Sequence, residues 1–381
     1  MKKVILMPDS FKGTMSSSEI CAIMKEKVLE HFPDCQVESI PVADGGEGTV
    51  ECFLEAMKGE KVTKRVNGPF MENKHSFYAI VEDGKTAILE MAATASLPMV
   101  LGHENPCLTT TYGVGRLMRD AVSKGCKKLV VGLGGSCTND MGAGAAAGAG
   151  AKFYDADGVE FIPTGSTLSK IAKIDVSAIR EKFEGVEIVA MCDIDNPLYG
   201  PTGAAYVFAP QKGADAEMVK LLDDNLRAGA EAVKRELGLD VADLAGAGAA
   251  GGMGAGMVAF FGATLKPGIE TVLDTVGFED IASDADFIFT GEGKIDSQSL
   301  RGKVVIGIAQ RAKKIGVPVV AVVGDIGDNM EPAYDMGVSA IYSINRVAVD
   351  FSKAKLRSKS DLSLTVDTLL RTIKLGAAMN K

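Results

Sequence analysis

Apolar positions recur along the chain in two rhythms. Short strand-like runs sit at residues 4–7, 37–40, 127–133, 186–192, 285–289, 317–323 and 340–342, and most stop at Gly, Pro, Asp or Ser. Runs of this length, bounded by turn residues, predict strands that are largely covered on both faces, as in a parallel sheet. Between them the spacing changes. Ile20, Ile23, Met24 and Val28 share one face of a helix, and Ser16, Ser17 or Ser18 can cap it. Further helices are predicted over 50–57, 109–123, 141–150, 214–237, 269–276, 304–315, near 330–336 and from about 362. A third texture fills residues 61–91. There the segments 61–66, 76–81 and 86–91 alternate apolar and polar positions across Asn67-Gly68-Pro69 and Asp83-Gly84, which predicts antiparallel hairpins.

The first 60 residues thus read as strand, loop, helix, strand, loop, helix, and the last third repeats that alternation. Such a pattern predicts an α/β fold. The expected organisation is a discontinuous Rossmann-like parallel-sheet domain formed by both chain ends, 1–62 and 283–381. A second, mixed α/β domain, 63–282, is inserted in the middle, with the active site expected in the cleft between them. A length of 381 residues suits two domains.

Charge narrows the partners. A formal net charge of −9 argues against nucleic acid and against an anionic membrane surface. No apolar run is long enough to span a bilayer, and the run at 4–7 is too short for a signal peptide. Seven cysteines without any C-x-x-C spacing predict neither a disulfide framework nor a zinc site, and a cytoplasmic location is expected. The expected partners are therefore small molecules, with the chain a monomer or a homodimer.

The chemistry concentrates at strand ends. The stretch 127–150 reads as a buried strand, a tight loop Gly134-Gly135-Ser136-Cys137-Thr138-Asn139-Asp140, and a helix of Ala and Gly. A strand turning sharply into a helix aims backbone N–H groups at one point, where the helix dipole favours an anion. Four more strand-end loops carry acids: Asp9-Ser10, Asp44-Gly45-Gly46-Glu47, Asp193-Ile194-Asp195-Asn196, and Glu292 with Asp296. Acids beside Gly at strand ends do little for stability, and a shared Mg²⁺–phosphate complex would relieve their mutual repulsion. Standard nucleotide fingerprints are missing. Gly84-Lys85-Thr86 has Ala79 where a P-loop needs its first Gly, and Gly246-Ala247-Gly248-Ala249-Ala250-Gly251 matches G-x-G-x-x-G only after a poor strand. His31, His75 and His103 lie outside every such loop, which disfavours a Ser-His-Asp or Cys-His nucleophile. Cys137 reads as a small packing residue.

Six stretches, in this order, resemble the signature blocks of the type I glycerate kinases. They are Pro8-Asp9-Ser10-Phe11-Lys12-Gly13, Pro41-Val42-Ala43-Asp44-Gly45-Gly46-Glu47-Gly48-Thr49, Gly132-Leu133-Gly134-Gly135-Ser136, Thr138-Asn139-Asp140, Cys192-Asp193-Ile194-Asp195-Asn196-Pro197-Leu198, and Thr290-Gly291-Glu292-Gly293-Lys294-Ile295-Asp296 with Gly302-Lys303. The departures are Met141 where a small residue is usual, Lys294 where Arg is common, and Val305 in place of a frequent Pro. The resemblance implies a two-domain α/β enzyme that phosphorylates D-glycerate with ATP and Mg²⁺, favouring the 2-hydroxyl and so 2-phospho-D-glycerate. A glycerate 3-kinase, a nicotinamide-dependent hydroxy-acid dehydrogenase using residues 246–251, and a non-catalytic organic-acid sensor are the alternatives.

Phosphoryl transfer needs alignment and charge neutralisation more than covalent help. Gly134, Gly135 and Ser136 are expected to offer N–H groups to ATP phosphates, with Asn139 beside them. Asp193 and Asp195 are the expected Mg²⁺ ligands, with Asn196 as an amide partner. Asp44 is the expected acceptor of the glycerate hydroxyl proton, supported by Glu47. Lys12, Arg301 and Lys303 are expected to pair with the glycerate carboxylate or with phosphate, near Asp9 and Ser10, and Glu292 and Asp296 are placed on the nucleotide side.

Overall fold

The computed structural model describes residues 1–43, 45–82 and 84–379. The chain divides into two compact units, Met1–Ala43 with Ile269–Lys381, and Asp44–Gly268.

The first unit is built on a five-stranded sheet. Its order is Val338–Ser343, Val319–Val323, Phe287–Gly291, Lys3–Pro8, Gln36–Ser39, and every neighbouring pair is parallel. All five residues of Val319–Val323 are buried, as the unbroken apolar run required. The helices Ser17–His31 and Ser358–Met379 pack together, and Ile20, Met24, Val366 and Leu370 join Val4, Leu6 and Phe289 in one core. Among the three candidate caps, Ser16 is the one used. Its Oγ accepts the Glu19 N–H at 3.2 Å while Glu19 Oε2 accepts the Ser16 N–H at 2.9 Å, a reciprocal capping box. Ser17 instead donates to the Pro8 carbonyl and accepts the Val42 N–H, tying two strand ends together.

The second unit holds a six-stranded mixed sheet. Its order is Thr264–Lys266, Glu187–Met191, Lys128–Gly132, Thr86–Glu90, Asn73–Val81, Gly59–Asn67. The first four strands run parallel, and the last two add antiparallel. The predicted hairpins are therefore the edge of the same sheet that carries the parallel strands.

The unit boundaries fall at Ala43 and Gly268, earlier than the expected 62 and 283. Two contacts explain the difference. The helix Thr49–Ala56 packs on Thr86–Glu90, and Glu90 Oε2 accepts the Val50 N–H at 3.1 Å. The helix Gly268–Val276 is held to the first unit by Arg311, which reaches Glu270 and Asp274 at 2.9 Å and grips Glu279 with two nitrogens.

The glycine-alanine helix predicted over 141–150 begins later, at Ala143–Ala149. Met141 (φ 55) and Gly142 (φ 67) stand in the left-handed region and cannot continue a helix. Its small side chains serve close packing against Tyr112–Ser123. A Cβ on Gly115 would lie 1.8 Å from the Ala145 carbonyl oxygen. Gly115→Ala is expected to cost about 1–3 kcal/mol through overpacking, read as a lower urea midpoint; an unchanged midpoint would show that the helices can part freely.

Among the described residues, no helix is long and apolar enough to cross a membrane.

Candidate active site

In the second unit, two strand-end loops meet. Gly132 ends its strand directly against the loop that follows residue 43: a Cβ there would sit 2.3 Å from the Gly45 carbonyl oxygen, and one on Gly134 would sit 2.6 Å from the Gly46 Cα. The glycines of the first loop thus serve close backbone approach. The Gly134 N–H donates to the Gly45 carbonyl at 3.0 Å, so its expected service to phosphate is withdrawn. Gly135 is exposed, with φ 76, and Ser136 lies just beneath it at 7% exposure.

Below that mouth the loop is entirely interior. Asp140 accepts from the Thr111 N–H (2.7 Å), the Thr111 hydroxyl (2.8 Å), the Gly142 N–H (3.1 Å) and the Thr110 hydroxyl (3.3 Å). Burial pushes its carboxyl up, and these bonds oppose the shift. Thr138 Oγ1 and both side-chain polar atoms of Asn139 are buried without a hydrogen-bond partner. Cys137 is buried, and desolvation pushes its thiol up to about 12, in keeping with a packing role.

Two residues that sequence reasoning missed complete this region. Lys212 is 2% exposed, and its Nζ donates to Ser136 Oγ at 2.7 Å and to the Thr138 carbonyl at 2.6 Å. Nothing in Pro210-Gln211-Lys212-Gly213 distinguishes it from a surface lysine in a turn. Glu90, 2% exposed, caps the helix that starts at Thr49; burial, with Glu51 and Glu47 nearby, pushes its carboxyl up to about 7 against the Val50 and Gly48 N–H bonds. Its place as the last residue of a buried strand was the available signal. Glu47 itself is exposed, and Asp44 lies outside the described residues.

The third loop of this unit follows Glu187–Met191. Asp193 and Asp195 are both exposed, and Asp193 Oδ1 accepts the Gly268 N–H at 2.7 Å. The Asn196 amide nitrogen donates to the Thr202 carbonyl at 2.8 Å, holding its own turn. Among the described residues no three His, Cys, Asp or Glu side chains gather as a metal cage.

The glycine-rich run at 246–256 is a packing device. The backbone turns left-handed through Ala250, Gly251 and Gly252, and a Cβ on Gly251 would lie 2.0 Å from the Thr138 carbonyl oxygen. A Cβ on Gly248 would lie 2.4 Å from the Pro197 carbonyl oxygen, and one on Gly246 2.9 Å from Cys192 Sγ. These glycines have protein backbone where a dehydrogenase would seat its cofactor's pyrophosphate, so the dinucleotide reading of G-x-G-x-x-G fails here.

In the first unit the expected residues lie at the carboxyl ends of parallel strands, where open sheets bind ligands. Asp9 and Ser10 follow Lys3–Pro8; the Asp9 N–H donates to the Gly291 carbonyl, and Asp9 Oδ1 accepts the Ser10 N–H at 2.6 Å. Glu292 follows Phe287–Gly291 and is 7% exposed, with Oε1 buried and unpartnered. Burial pushes its carboxyl up to about 7; a Ser299 hydroxyl bond and Lys303 lower it, while Asp9 and Asp296 raise it. Lys12, Arg301 and Lys303 are exposed, and Lys303 Nζ donates to Gln298 Oε1 at 3.3 Å. A cavity of about 250 Å³ opens at the same strand ends, lined by Lys12, Gly293, Gly324, Asn345 and Lys355.

Comparison with known proteins places these loops in context. A family model described as the glycerate kinase family matches residues 4–374. A Bacillus subtilis (strain 168) protein named glycerate kinase is 41% identical over 378 residues, 99% of each chain. An Escherichia coli (strain K12) protein named glycerate 2-kinase is 43% identical over 343 residues, 90% of each chain. A crystal structure from Salmonella typhimurium LT2, provisionally named glycerate kinase 2, superposes with a TM-score of 0.88 at 39% identity, covering 99% of both chains.

Proposed function

The chain belongs to the glycerate kinase family, and from that premise we propose that it transfers the γ-phosphoryl group of ATP to the 2-hydroxyl of D-glycerate, giving 2-phospho-D-glycerate. The observation that carries this reading is the likeness over nearly the whole chain, including a relative named for the 2-position. A small, locally arranged set of anion-holding groups suits this substrate better than a global field would, since the chain as a whole is acidic.

The chain's own groups divide the work as follows. Gly135 and Ser136 face the ATP phosphates, with Asn139 behind them. Asp193 and Asp195 offer exposed carboxylates to Mg²⁺, which takes one or two such ligands and completes its shell with phosphate and water, so an open pair fits it. The bound ion supplies neutralisation of phosphate charge. Asp44 accepts the hydroxyl proton of glycerate, and Glu47 supports it. Asp9, Ser10, Lys12, Arg301 and Lys303 orient glycerate and hold its carboxylate, with Glu292 and Asp296 on the nucleotide side.

Incubation with ATP, Mg²⁺ and D-glycerate, followed by ³¹P NMR, is expected to reveal 2-phosphoglycerate and ADP. A 3-phosphoglycerate signal would move the acceptor to the other hydroxyl. Unchanged ATP in a sample of folded protein would count against the kinase altogether.

A further inference from the structure

We propose that Lys212 is a positioning residue for phosphoryl transfer: it fixes Ser136 Oγ as an acceptor, so that the Ser136 hydroxyl proton is left to donate to an ATP phosphate oxygen. This inference rests on the kinase reading above and adds a residue to it.

The geometry is local and specific. A hydroxyl has one proton and two lone pairs. The Lys212 Nζ–H occupies one lone pair of Ser136 Oγ at 2.7 Å, so the oxygen is engaged as acceptor and its own O–H must find another partner. Beneath it, the second Nζ–H goes to the Thr138 carbonyl at 2.6 Å. The lysine backbone is held in place as well. Its N–H donates to the Ala209 carbonyl at 2.9 Å, and Gly213 turns the chain at φ 90 with Glu104 pressed against it.

The electrostatics ask for an anion. An ammonium at 2% exposure has lost its hydration, which is costly without a counter-charge. No carboxylate among the described residues stands within ion-pair distance of it. The titratable groups that face it are Cys137 and Asp140. The Cys137 thiol is neutral at pH 7, and the Asp140 carboxylate is spent on Thr110, Thr111 and Gly142. Burial accordingly pulls the lysine down to about 8. Thr138 Oγ1 and the Asn139 amide add unpaired buried dipoles to the same loop. A purely structural contact would be met more cheaply by a neutral side chain. A phosphate at the Gly135–Ser136 mouth would supply the missing negative charge through one intervening hydroxyl.

The test uses the full-length protein with MgATP binding measured by calorimetry and turnover measured with D-glycerate. Lys212→Met is expected to weaken MgATP binding and kcat/KM for ATP by about ten- to hundredfold, the range for loss of one charge-assisted donor, with KM for D-glycerate within about twofold. Ser136→Ala should lose a similar factor, and the double variant little more, because the lysine acts through the serine. Wild-type MgATP affinity should fall as pH rises through about 8, and that limb should be absent in Lys212→Met. Lys212→Arg keeps the charge and should recover part of the loss. Full MgATP affinity in Lys212→Met, additive losses in the double variant, or an unchanged alkaline limb would each overturn the proposal. Should Lys212→Met fail to fold, the wild-type pH limb and Ser136→Ala binding still decide it. Because binding is read without glycerate, MgATP binding that tracks Lys212 in a protein unable to phosphorylate glycerate would sink the substrate assignment alone.

Discussion

Replacing Asp140 with alanine lowers the unfolding free energy of the second unit by about 3–5 kcal/mol, the usual cost of stripping a buried, fully hydrogen-bonded charge from its donors. Asp140 is completely buried, and four donors converge on it from Thr110, Thr111 and Gly142. Remove the carboxylate and all four donors are stranded in the interior. The Thr111 hydroxyl is also the acceptor for the Ala145 N–H at 2.8 Å, so the damage spreads to the start of the helix Ala143–Ala149. Asp140→Asn keeps the volume but turns an N–H₂ toward donors, so it should recover only part of the loss. The measurement is the urea midpoint with hydrogen exchange at Thr111, Gly142 and Ala145. An alanine variant within about 1 kcal/mol of wild type would show that the network relaxes or that water replaces the carboxylate.

Glu292→Gln is expected to do the opposite to stability while removing activity. The Glu292 carboxyl is buried beside Asp9 and Asp296 and stands at about 7, against 4.5 for a free glutamate. Below pH 4.5 both folded and unfolded chains hold the proton, and the substitution is neutral. Between 4.5 and about 7 the unfolded chain releases its proton while the folded chain keeps it, so wild-type stability declines as pH rises. Above about 7 the full penalty is present, roughly 3 kcal/mol for a shift of this size. Glutamine carries no charge to desolvate and can still accept the Ser299 hydroxyl. The variant should therefore melt at a higher temperature than wild type at pH 8, with the gap closing by pH 5. Glu90 is shifted in the same direction in both proteins and cancels from the difference. If Glu292 serves the nucleotide side as proposed, kcat should fall by about a hundredfold, the scale of one lost electrostatic group in a transferring site. A melting temperature that tracks wild type across pH would remove the buried-charge account, and retained turnover would remove Glu292 from the reaction. A gain in stability bought with lost activity is the expected signature of a functional site.

Much of this was legible before any coordinates. The unbroken run at 317–323, the alternation across Asn67-Gly68-Pro69, and a helix cap within Ser16 to Ser18 are local patterns, and local patterns report periodicity and capping directly, although which serine caps waited on the structure. What went astray was set by distant partners. Gly134 was expected to present its N–H to a ligand, but the Gly45 carbonyl takes it. The glycines at 246–251 resembled a dinucleotide loop, but the Thr138 and Pro197 carbonyls fill the space beside them. The helix of Thr49–Ala56 was grouped with the strands before it, but Glu90 anchors it to a strand after it.

Composition and order of residues alone determined the α/β class, the acidic loops at strand ends and the kinship of the chain, because each depends on local spacing or on blocks read in sequence. Tertiary structure alone decided which polar groups lose their water. Lys212 looks like an ordinary surface lysine in the sequence, and Asp140 and Glu292, though marked by their loops, give no sign there of being buried; in the fold all three are covered. Desolvation is a property of what surrounds a group in space, so the energies that single out these three arise only once the chain has closed over them.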